Sequence, residues 1–267
     1  MLKDITLGQY YPVDSVIHRL DPRTKLAGTM VFLVSLFVTS SPAGYLLATA
    51  ALVICIALSR VPFGYMTRGL KAVFVILLIS VSFNIFFTDG TVLFRAGPLR
   101  VTLEGIRLAA FMALRLVYLV IGSSLMTLTT TPTQLTDGLE KSLGFLNKIG
   151  VPVHDIAMMM SIALRFIPIL TEETDKIMKA QKARGADFDS GGLIRKAKAL
   201  VPVLVPLFIA AFRRASDLAL AMESRCYHGS AGRTKLKPLK YARRDYIAYV
   251  CLLVYFILMI LSRGWGK

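Results

Sequence analysis

The chain has 267 residues, of which 55% are hydrophobic and 18% charged, and its mean hydropathy is +0.61. Because soluble domains are about a quarter charged, this composition excludes an ordinary soluble enzyme or a disordered chain and indicates a polytopic membrane protein. The formal net charge is +16, which in an apolar protein is typical of cytoplasmic flanks and a membrane surface rather than of nucleic-acid binding.

The first apolar stretch is long enough for more than one membrane span. Residues 26–58 contain no charged side chain, and Ser41-Pro42 interrupts them near the middle. A helix needs ~20 residues to cross a bilayer, and the residue before a proline avoids helical dihedral angles. We therefore predict a hairpin of two short spans, at about 23–39 and 43–59.

The start of the first span carries clear capping signals. Asp21 is a favourable N-cap residue, and Pro22 suits the first helical position. We expect Arg23 and Lys25, which follow, to remain among the lipid headgroups.

Three further apolar segments are also predicted to cross the membrane. Lys and Arg are concentrated in the N-terminal flank and between the second and third spans, so the positive-inside rule places the N-terminus in the cytoplasm. Arg115 lies well inside the fourth span, where a charged residue suggests a functional role. The structural alternative is that Arg115 faces a polar spot lined by protein. These spans cover about 72–88, 105–127 and 246–262.

The stretch 129–245 is far more charged than the spans and yet remains rich in apolar residues. This pattern favours amphipathic helices that lie against the membrane or pack on one another. The predicted fold class is therefore all-α, a polytopic membrane protein with about five transmembrane helices and about three long amphipathic cytoplasmic helices. The predicted domains are 1–128 with four spans, 129–245 with the amphipathic helices, and 246–267 with the last span.

Capping signals delimit the amphipathic helices. The first begins at Thr131, where Gln134 completes a capping-box pattern, and is predicted to end at Gly150. The second begins near Pro152. Beyond Pro168 it becomes polar, with acidic and basic residues four positions apart that favour a helix in water.

The second and third amphipathic helices end alike. The third begins around Gly191-Gly192, and both close on a small residue, an arginine and another small residue. Such an end leaves the guanidinium as the protruding group for a partner, whereas the alternative is an arginine that complements the helix dipole. The two ends, 41 positions apart, are Ala183, Arg184 and Gly185, and Ser224, Arg225 and Cys226.

Over essentially its whole length the chain resembles EcfT, the T component of energy-coupling factor transporters. An N-terminal signature carries the resemblance, Gln9-Tyr10 through Leu20-Asp21-Pro22-Arg23-Thr24-Lys25, together with Leu164-Arg165-Phe166-Ile167-Pro168. Ala183-Arg184-Gly185 resembles the first coupling motif of the family. Ser224-Arg225-Cys226 resembles the second but departs from Ala-Arg-Gly, and we expect the backbone freedom of glycine to be lost at Cys226.

The resemblance implies a scaffold that couples ATP hydrolysis to uptake of vitamins or micronutrients. Its partners would be two ABC-type ATPase subunits, which dock on the coupling arginines, and a small membrane S component that captures the substrate. The chain itself would not be an enzyme and would bind no cofactor or metal, since ATP and Mg belong to the ATPases, and it would bind no nucleic acid. Candidates for packing against the S component or a neighbouring helix are Met159, Met160, Ala163, Leu207 and Ala211.

Two other classes of function are alternatives, a stand-alone secondary transporter and an integral membrane enzyme. A secondary transporter usually has broken spans with polar residues at the membrane midplane, whereas the spans here are plain. The sequence contains no G-x-x-x-x-G-K-[ST] phosphate loop, and His18, His154 and His228 lack metal-ligand spacing. The predicted coupling helices therefore need a motor supplied by another chain.

Overall fold

The computed structural model describes residues 10–39, 41–96, 99–188, 192–229, 236 and 238–264. Within these residues it contains eight α-helices, one short 3-10 helix and one antiparallel pair of short strands. The predominance of helix confirms the all-α fold class. The helices are α1 (Pro22–Val38), α2 (Pro42–Ser59), α3 (Phe63–Phe87), α4 (Leu103–Thr129), α5 (Pro132–Ser142), α6 (Val153–Ala183), α7 (Leu193–Glu223) and α8 (Arg243–Gly264). The 3-10 helix is Gly144–Ile149, and the strands are β1 (Val92–Ala96) and β2 (Leu99–Thr102).

Five helices are long and apolar enough to cross a membrane, but they are not the five predicted spans. Helices α2, α4 and α8 match predictions. Helix α1, with 17 residues, is too short to be counted among the five. Helix α3 is bent by 62° between Lys71 and Val73, and it is a sixth candidate span only if its two halves are taken as one span. The other two are α6 and Lys198–Glu223 of α7, which were predicted to lie against the membrane or to pack on one another.

The described residues form two compact units. We call residues 139–238 the helix-pair unit, and residues 10–138 together with 239–264 the membrane unit. The predicted domain boundaries after residues 128 and 245 separate membrane-spanning from cytoplasmic segments. A division into compact units does not show which segments are cytoplasmic, so these boundaries stay a prediction.

The core of the membrane unit lies where α1 packs on α4 and α8, and where α2 packs on the same two helices. Two clusters of buried side chains form it, and aromatic stacking contributes, since the rings of Tyr45 and Phe111 lie 5.0 Å apart. The clusters are Leu36, Tyr45, Ala48, Tyr118 and Met259, and Leu52, Val61, Met66, Ile121 and Leu128.

The predicted N-cap of α1 is confirmed. The Asp21 carboxylate accepts from the backbone N–H of Arg23 at 2.9 Å and from its guanidinium at 3.0 Å through both oxygens. Burial raises the pKa of Asp21, but these hydrogen bonds outweigh burial and hold that pKa below its ordinary value. The guanidinium also lies over the Tyr241 ring, 3.9 Å from its centroid.

The expectation that Lys25 lies among headgroups was wrong. Its side chain is only 7% exposed. The Lys25 ammonium donates to the carbonyls of Thr129, at 2.8 Å, and His18, at 3.1 Å. Because the last carbonyls of a helix lack intrahelical partners, Lys25 satisfies the end of α4 and joins it to α1.

Asp245 joins the start of α8 to the start of α1. One carboxylate oxygen accepts from the backbone N–H of Asp21 and the other from that of Ala242, both at 2.8 Å. The second contact is the reach-back bond of a capping box. Asp245 is 2% exposed, so the contact between residues 224 positions apart is fully buried.

Arg115 lies against the end of α1 rather than in open lipid. Its guanidinium is 3.5 Å from the carbonyl oxygen of Thr39, the C-cap residue of α1, and 5.4 Å from the Phe37 ring. A cation at a helix C-terminus is favourable. The structural alternative for Arg115, a protein-lined polar spot, is therefore what the structure contains.

A β-hairpin that the sequence analysis did not anticipate connects α3 to α4. Strands β1 and β2 pair antiparallel, with Val92 opposite Thr102 and Ala96 opposite Leu99. The hydroxyl of Thr102 donates to the carbonyl of Thr88 at 2.8 Å, which ties the hairpin to the end of α3.

The first amphipathic helix begins as predicted and ends earlier. Thr131 and Gln134 form the reciprocal capping box, with both hydrogen bonds at 3.3 Å. However, α5 ends at Ser142, and a 3-10 helix then runs to Ile149, so the single helix to Gly150 was wrong. Gly150 has a φ of 87° and ends that second segment.

Candidate coupling site

Helix α6 has two chemically different halves. It begins at Val153, next to the predicted start at Pro152, and runs through Pro168 to Ala183. The N-terminal half is apolar, with Ile156, Met159 and Met160 exposed. The half beyond Pro168 carries most of the charge, as predicted.

Helix α7 divides differently. Its apolar segment lies in the middle, around Pro202 and Pro206, and charged residues precede it from Arg195 to Lys198 and follow it from Arg213. The rings of Phe208 and Phe212 are both exposed and lie 4.6 Å apart. Both helices therefore combine an apolar segment with a charged C-terminal part.

The two helices run antiparallel, as three side-chain contacts show. Gln181 Nε2 donates to the carbonyl of Pro202 at 3.0 Å. The Glu173 carboxylate accepts from the Arg214 guanidinium at 3.1 Å. The Tyr227 hydroxyl, just beyond α7, contacts Met158 Sδ at 3.1 Å. The end of each helix therefore lies near the start of the other.

The first coupling motif closes α6 with a Schellman motif. The N–H of Gly185 donates to the carbonyl of Lys182, and the N–H of Ala186 donates to that of Gln181, both at 3.0 Å. Gly185 has a φ of 86°, the left-handed conformation that this motif requires. Arg184 therefore occupies the C-cap position, with its side chain exposed.

The second coupling motif closes α7 with the same two hydrogen bonds. The N–H of Cys226 donates to the carbonyl of Glu223 at 2.9 Å, and the N–H of Tyr227 donates to that of Met222 at 3.1 Å. Cys226 has a φ of 55° and so occupies the position of Gly185. Cysteine lacks the backbone freedom of glycine, as expected, and it adopts the left-handed conformation here at an energetic cost.

All six predicted coupling residues are exposed, and the structure does not bring the two motifs together. Arg184 lies at the end of α6, and Arg225 lies near the start of α6. Each arginine is 11 positions beyond the contact of Glu173 with Arg214, so at ~1.5 Å per helical residue the two tips are about 33 Å apart along the pair. The structure therefore presents two separate exposed arginines on one helix pair.

The predicted packing residues divide by helix. Met159, Met160 and Ala163 of α6 are exposed, whereas Leu207 and Ala211 of α7 are half-buried. Whether these residues contact another protein stays a prediction.

A groove of about 670 Å³ lies beside the second coupling motif. Its floor is apolar, and it contains the cationic side chain of Arg165 in addition to that of Arg225. In the sequence, Arg165 stands out only as part of a family motif, because a spacing of 60 residues does not indicate that two arginines share one groove. The remaining lining residues are Met158, Ser161, Ile162, Phe166, Leu218, Met222, Cys226, Tyr227, His228 and Gly229.

Two of the three described histidines, His18 and His154, make structural contacts. His154 Nδ1 lies 2.8 Å from the Glu140 carboxylate, and His18 contacts Ser15 and the carbonyl of Tyr11. In the described part of the chain, no group of three or more His, Cys, Asp or Glu side chains could hold a metal ion.

These features define a multi-pass, all-helical membrane protein whose long antiparallel helix pair ends in two exposed arginines. Comparison with known proteins gives its family. Residues 14–236 match the CbiQ family, described as cobalt transport protein. The chain belongs to this family and, within it, to the EcfT transmembrane components of energy-coupling factor transporters, as the sequence resemblance predicted.

Three relatives support this assignment, and each is named as the energy-coupling factor transporter transmembrane protein EcfT. The protein from Clostridium kluyveri is 57% identical over 100% of both chains. The protein from Thermosediminibacter oceani is 50% identical over 98% of this chain and 99% of its own. The protein from Lactococcus lactis subsp. cremoris is 43% identical over 100% of this chain and 99% of its own.

Proposed function

We propose that this chain transmits the ATP-driven motion of two ABC-type ATPase subunits to a small membrane S component during uptake of a vitamin or other micronutrient. In this mechanism Arg184 and Arg225 each dock on one ATPase subunit. ATP and Mg are bound by those subunits, and the chain is a mechanical scaffold without a catalytic step.

The observation that carries the proposal is that α6 and α7 end in the same backbone motif with arginine at the same position. A Schellman motif holds the last turn rigid, so a force on the guanidinium is passed to the whole helix. An arginine fork can bind a carboxylate through two hydrogen bonds. Two equal tips on one antiparallel pair suit two ATPase subunits that move relative to each other.

The antiparallel pairing also supports a position along the membrane surface. Because Glu173 contacts Arg214 in an antiparallel pair, Asp217 lies near the level of Leu170. If both helices crossed the bilayer, such charges would lie at hydrocarbon depth, which is costly. We infer that α6 and α7 lie at the interface, with their charged tips toward the cytoplasm.

The exposed apolar surface of the pair is the proposed seat of the S component. Met159, Met160 and Ala163 are exposed on one helix, and Phe208 and Phe212 on the other. Methionine repacks readily against different surfaces, which suits a seat that must release and rebind its partner.

The test is co-purification of the tagged chain with two co-expressed ATPases and an S component in mild detergent. The double variant Arg184→Glu and Arg225→Glu is expected to weaken ATPase binding by roughly 30-fold or more, since losing one partner of a buried charged contact costs ~2–5 kcal/mol. The matched control is Lys179→Glu with Arg213→Glu, which makes the same charge change at exposed residues away from the tips.

The control should retain both ATPases and the S component. Full ATPase binding by the tip variant would contradict the proposed function. Equal loss in the tip and control variants would show that overall charge, and not the tips, governs attachment.

A further inference from the structure

The helix pair has a local pseudo-two-fold relationship. A shift of 41 positions superimposes Arg184 on Arg225 and also Glu173 on Arg214. Glu173 and Arg214 contact each other directly, at 3.1 Å. The shift therefore assigns Glu173 of one helix to its contact partner in the other helix. Such a contact lies on the pseudo-two-fold axis that relates the two helices. Contacts at the two ends of the pair can therefore be compared position by position.

At the Arg184 end, a hydrogen bond bridges the two helices. Pro206 has no N–H, so the carbonyl of Pro202 lacks its usual helical donor. Gln181 supplies the missing donor, with its Nε2 at 3.0 Å from that oxygen. The sequence therefore explains why the helices are joined at this end.

The equivalent pair at the Arg225 end is Ser161 and Met222, and both line the groove of about 670 Å³. A methionine side chain cannot repeat the amide hydrogen bond of Gln181. The two ends of the pair thus share one backbone motif but differ in their surroundings.

The groove joins two cations to an apolar floor. Arg165 enters it from α6 and Arg225 from the end of α7, with His228 beside them. The floor includes Ile162 and Phe166, and none of the described side chains that line the groove is acidic. Because the groove has positive charge without internal compensation, it is complementary to a carboxylate that is flanked by apolar side chains.

We propose that this groove receives an acidic and apolar segment of the ATPase subunit that docks at Arg225, with Arg165 as a second carboxylate-binding residue. The inference rests on the proposed function, because the groove contains one of the two coupling arginines. It makes the two ATPase positions unequal, since only the subunit at Arg225 contributes a segment to the groove.

Two variants test the groove in the full complex. Arg165→Gln removes one cation at nearly constant size, and Ser161→Trp fills the space. The matched controls are Lys179→Gln and Ser216→Trp, both at exposed positions that do not line the groove. The readout is the amount of each ATPase subunit retained, measured separately across a salt series.

Both groove variants are expected to weaken one ATPase subunit by at least roughly tenfold and to leave the other near its original level. Retention of both subunits by Arg165→Gln and Ser161→Trp would overturn the groove assignment. A different result would contradict the proposed function itself, namely that Arg184→Glu with Arg225→Glu still retains both ATPases.

A cross-link identifies the occupant without changing the groove residues by mutation. Cys226 is exposed and lines the groove, and Cys55→Ala with Cys251→Ala leaves it as the single cysteine for a photoactivatable maleimide. The expected product is an ATPase peptide in which Asp or Glu adjoins a large apolar residue. Cross-links only to the S component or to lipid would overturn the proposal.

Discussion

Glu173 and Arg214 join the two coupling helices through an ion pair of 3.1 Å at the centre of the antiparallel pair. The two residues are 41 positions apart, which is also the spacing of the two coupling arginines. The contact therefore lies where the helices cross, about equally far from both tips. At such a position it links the two helices without contacting either proposed ATPase site.

The ion pair should contribute little to stability and more to coupling. The side chains of Glu173 and Arg214 are 28% and 36% exposed, and exposed pairs contribute ~0.2–1 kcal/mol. A double-mutant cycle with Glu173→Gln and Arg214→Gln, read by hydrogen exchange of α6 and α7, should give a coupling energy in this range.

Transport by the same variants distinguishes a hinge from a simple contact. We expect each single variant to lower uptake per ATP hydrolysed, and the exchange Glu173→Arg with Arg214→Glu to restore part of it. Unchanged coupling in both single variants would show that the ion pair is structural only.

Cys226→Gly should stabilise the end of α7. Cys226 has a φ of 55°, and a residue with a Cβ in the left-handed region costs ~1 kcal/mol relative to glycine. Hydrogen exchange of the last turn of α7 should slow by roughly fivefold, which corresponds to about 1 kcal/mol in the opening free energy.

The reverse change at the other tip gives the complementary result. Gly185→Ala should speed exchange at the end of α6, because its φ is 86° although nothing lies within 4 Å of an added Cβ. Gly144→Ala is the control, since that glycine has open space and no positive φ. Equal effects at Gly185 and Gly144 would refute the conformational explanation.

Asp245→Ala should destabilise the membrane unit by about 3 kcal/mol. The change leaves the backbone N–H groups of Asp21 and Ala242 without their acceptor in a buried place, and each such loss costs ~1–3 kcal/mol. Thermal unfolding in detergent measures it. Asp245→Asn retains one acceptor oxygen and should lose less stability, whereas Asp14→Ala, at an exposed residue, should change stability little. Equal losses of stability in Asp245→Ala and Asp14→Ala would argue against a contribution from the buried contacts.

His18 should make stability fall in mild acid. Burial lowers the pKa of His18 below its ordinary value of 6.5, and the nearby Lys25 lowers it further, while the carbonyl of Tyr11 and the Asp14 carboxylate partly oppose this. The unfolded chain therefore takes up a proton at a higher pH than the folded chain. Stability is complete above about pH 6.5 and decreases as the pH falls below it.

Unfolding temperatures between about pH 7.5 and 5.5 test this dependence. His18→Gln should remove part of the slope, because glutamine can still donate to Tyr11 but does not titrate in this range. His228→Gln, at an exposed residue, serves as the control. An unchanged slope in His18→Gln would show that other groups cause it.

Local chemistry accounts for the features that were correctly predicted. Asp21 and the Thr131–Gln134 capping box satisfy the first N–H groups of their own helices, within two or three residues. The ends of α6 and α7 depend likewise on neighbouring residues. Such signals are readable in a sequence because all their atoms belong to one short segment.

Contacts between distant segments account for the errors. Lys25 was expected among headgroups, yet its ammonium binds the carbonyl of Thr129, 104 positions away. The prediction that α6 lies against the membrane or packs on a neighbouring helix is not such an error, although its length and apolar content alone would also allow a span. Hydropathy describes one helix, whereas the partner of that helix determines which of its groups are buried.

The amino-acid sequence was sufficient for the all-helical membrane class, the family and the ends of α6 and α7 at their arginine motifs, because composition, caps and motifs are properties of short segments. The antiparallel pairing of α6 with α7, the contact of Glu173 with Arg214, and the groove shared by Arg165 and Arg225 required the folded chain. Side-chain packing between remote helices sets these relationships, and no periodicity within either helix specifies which faces meet.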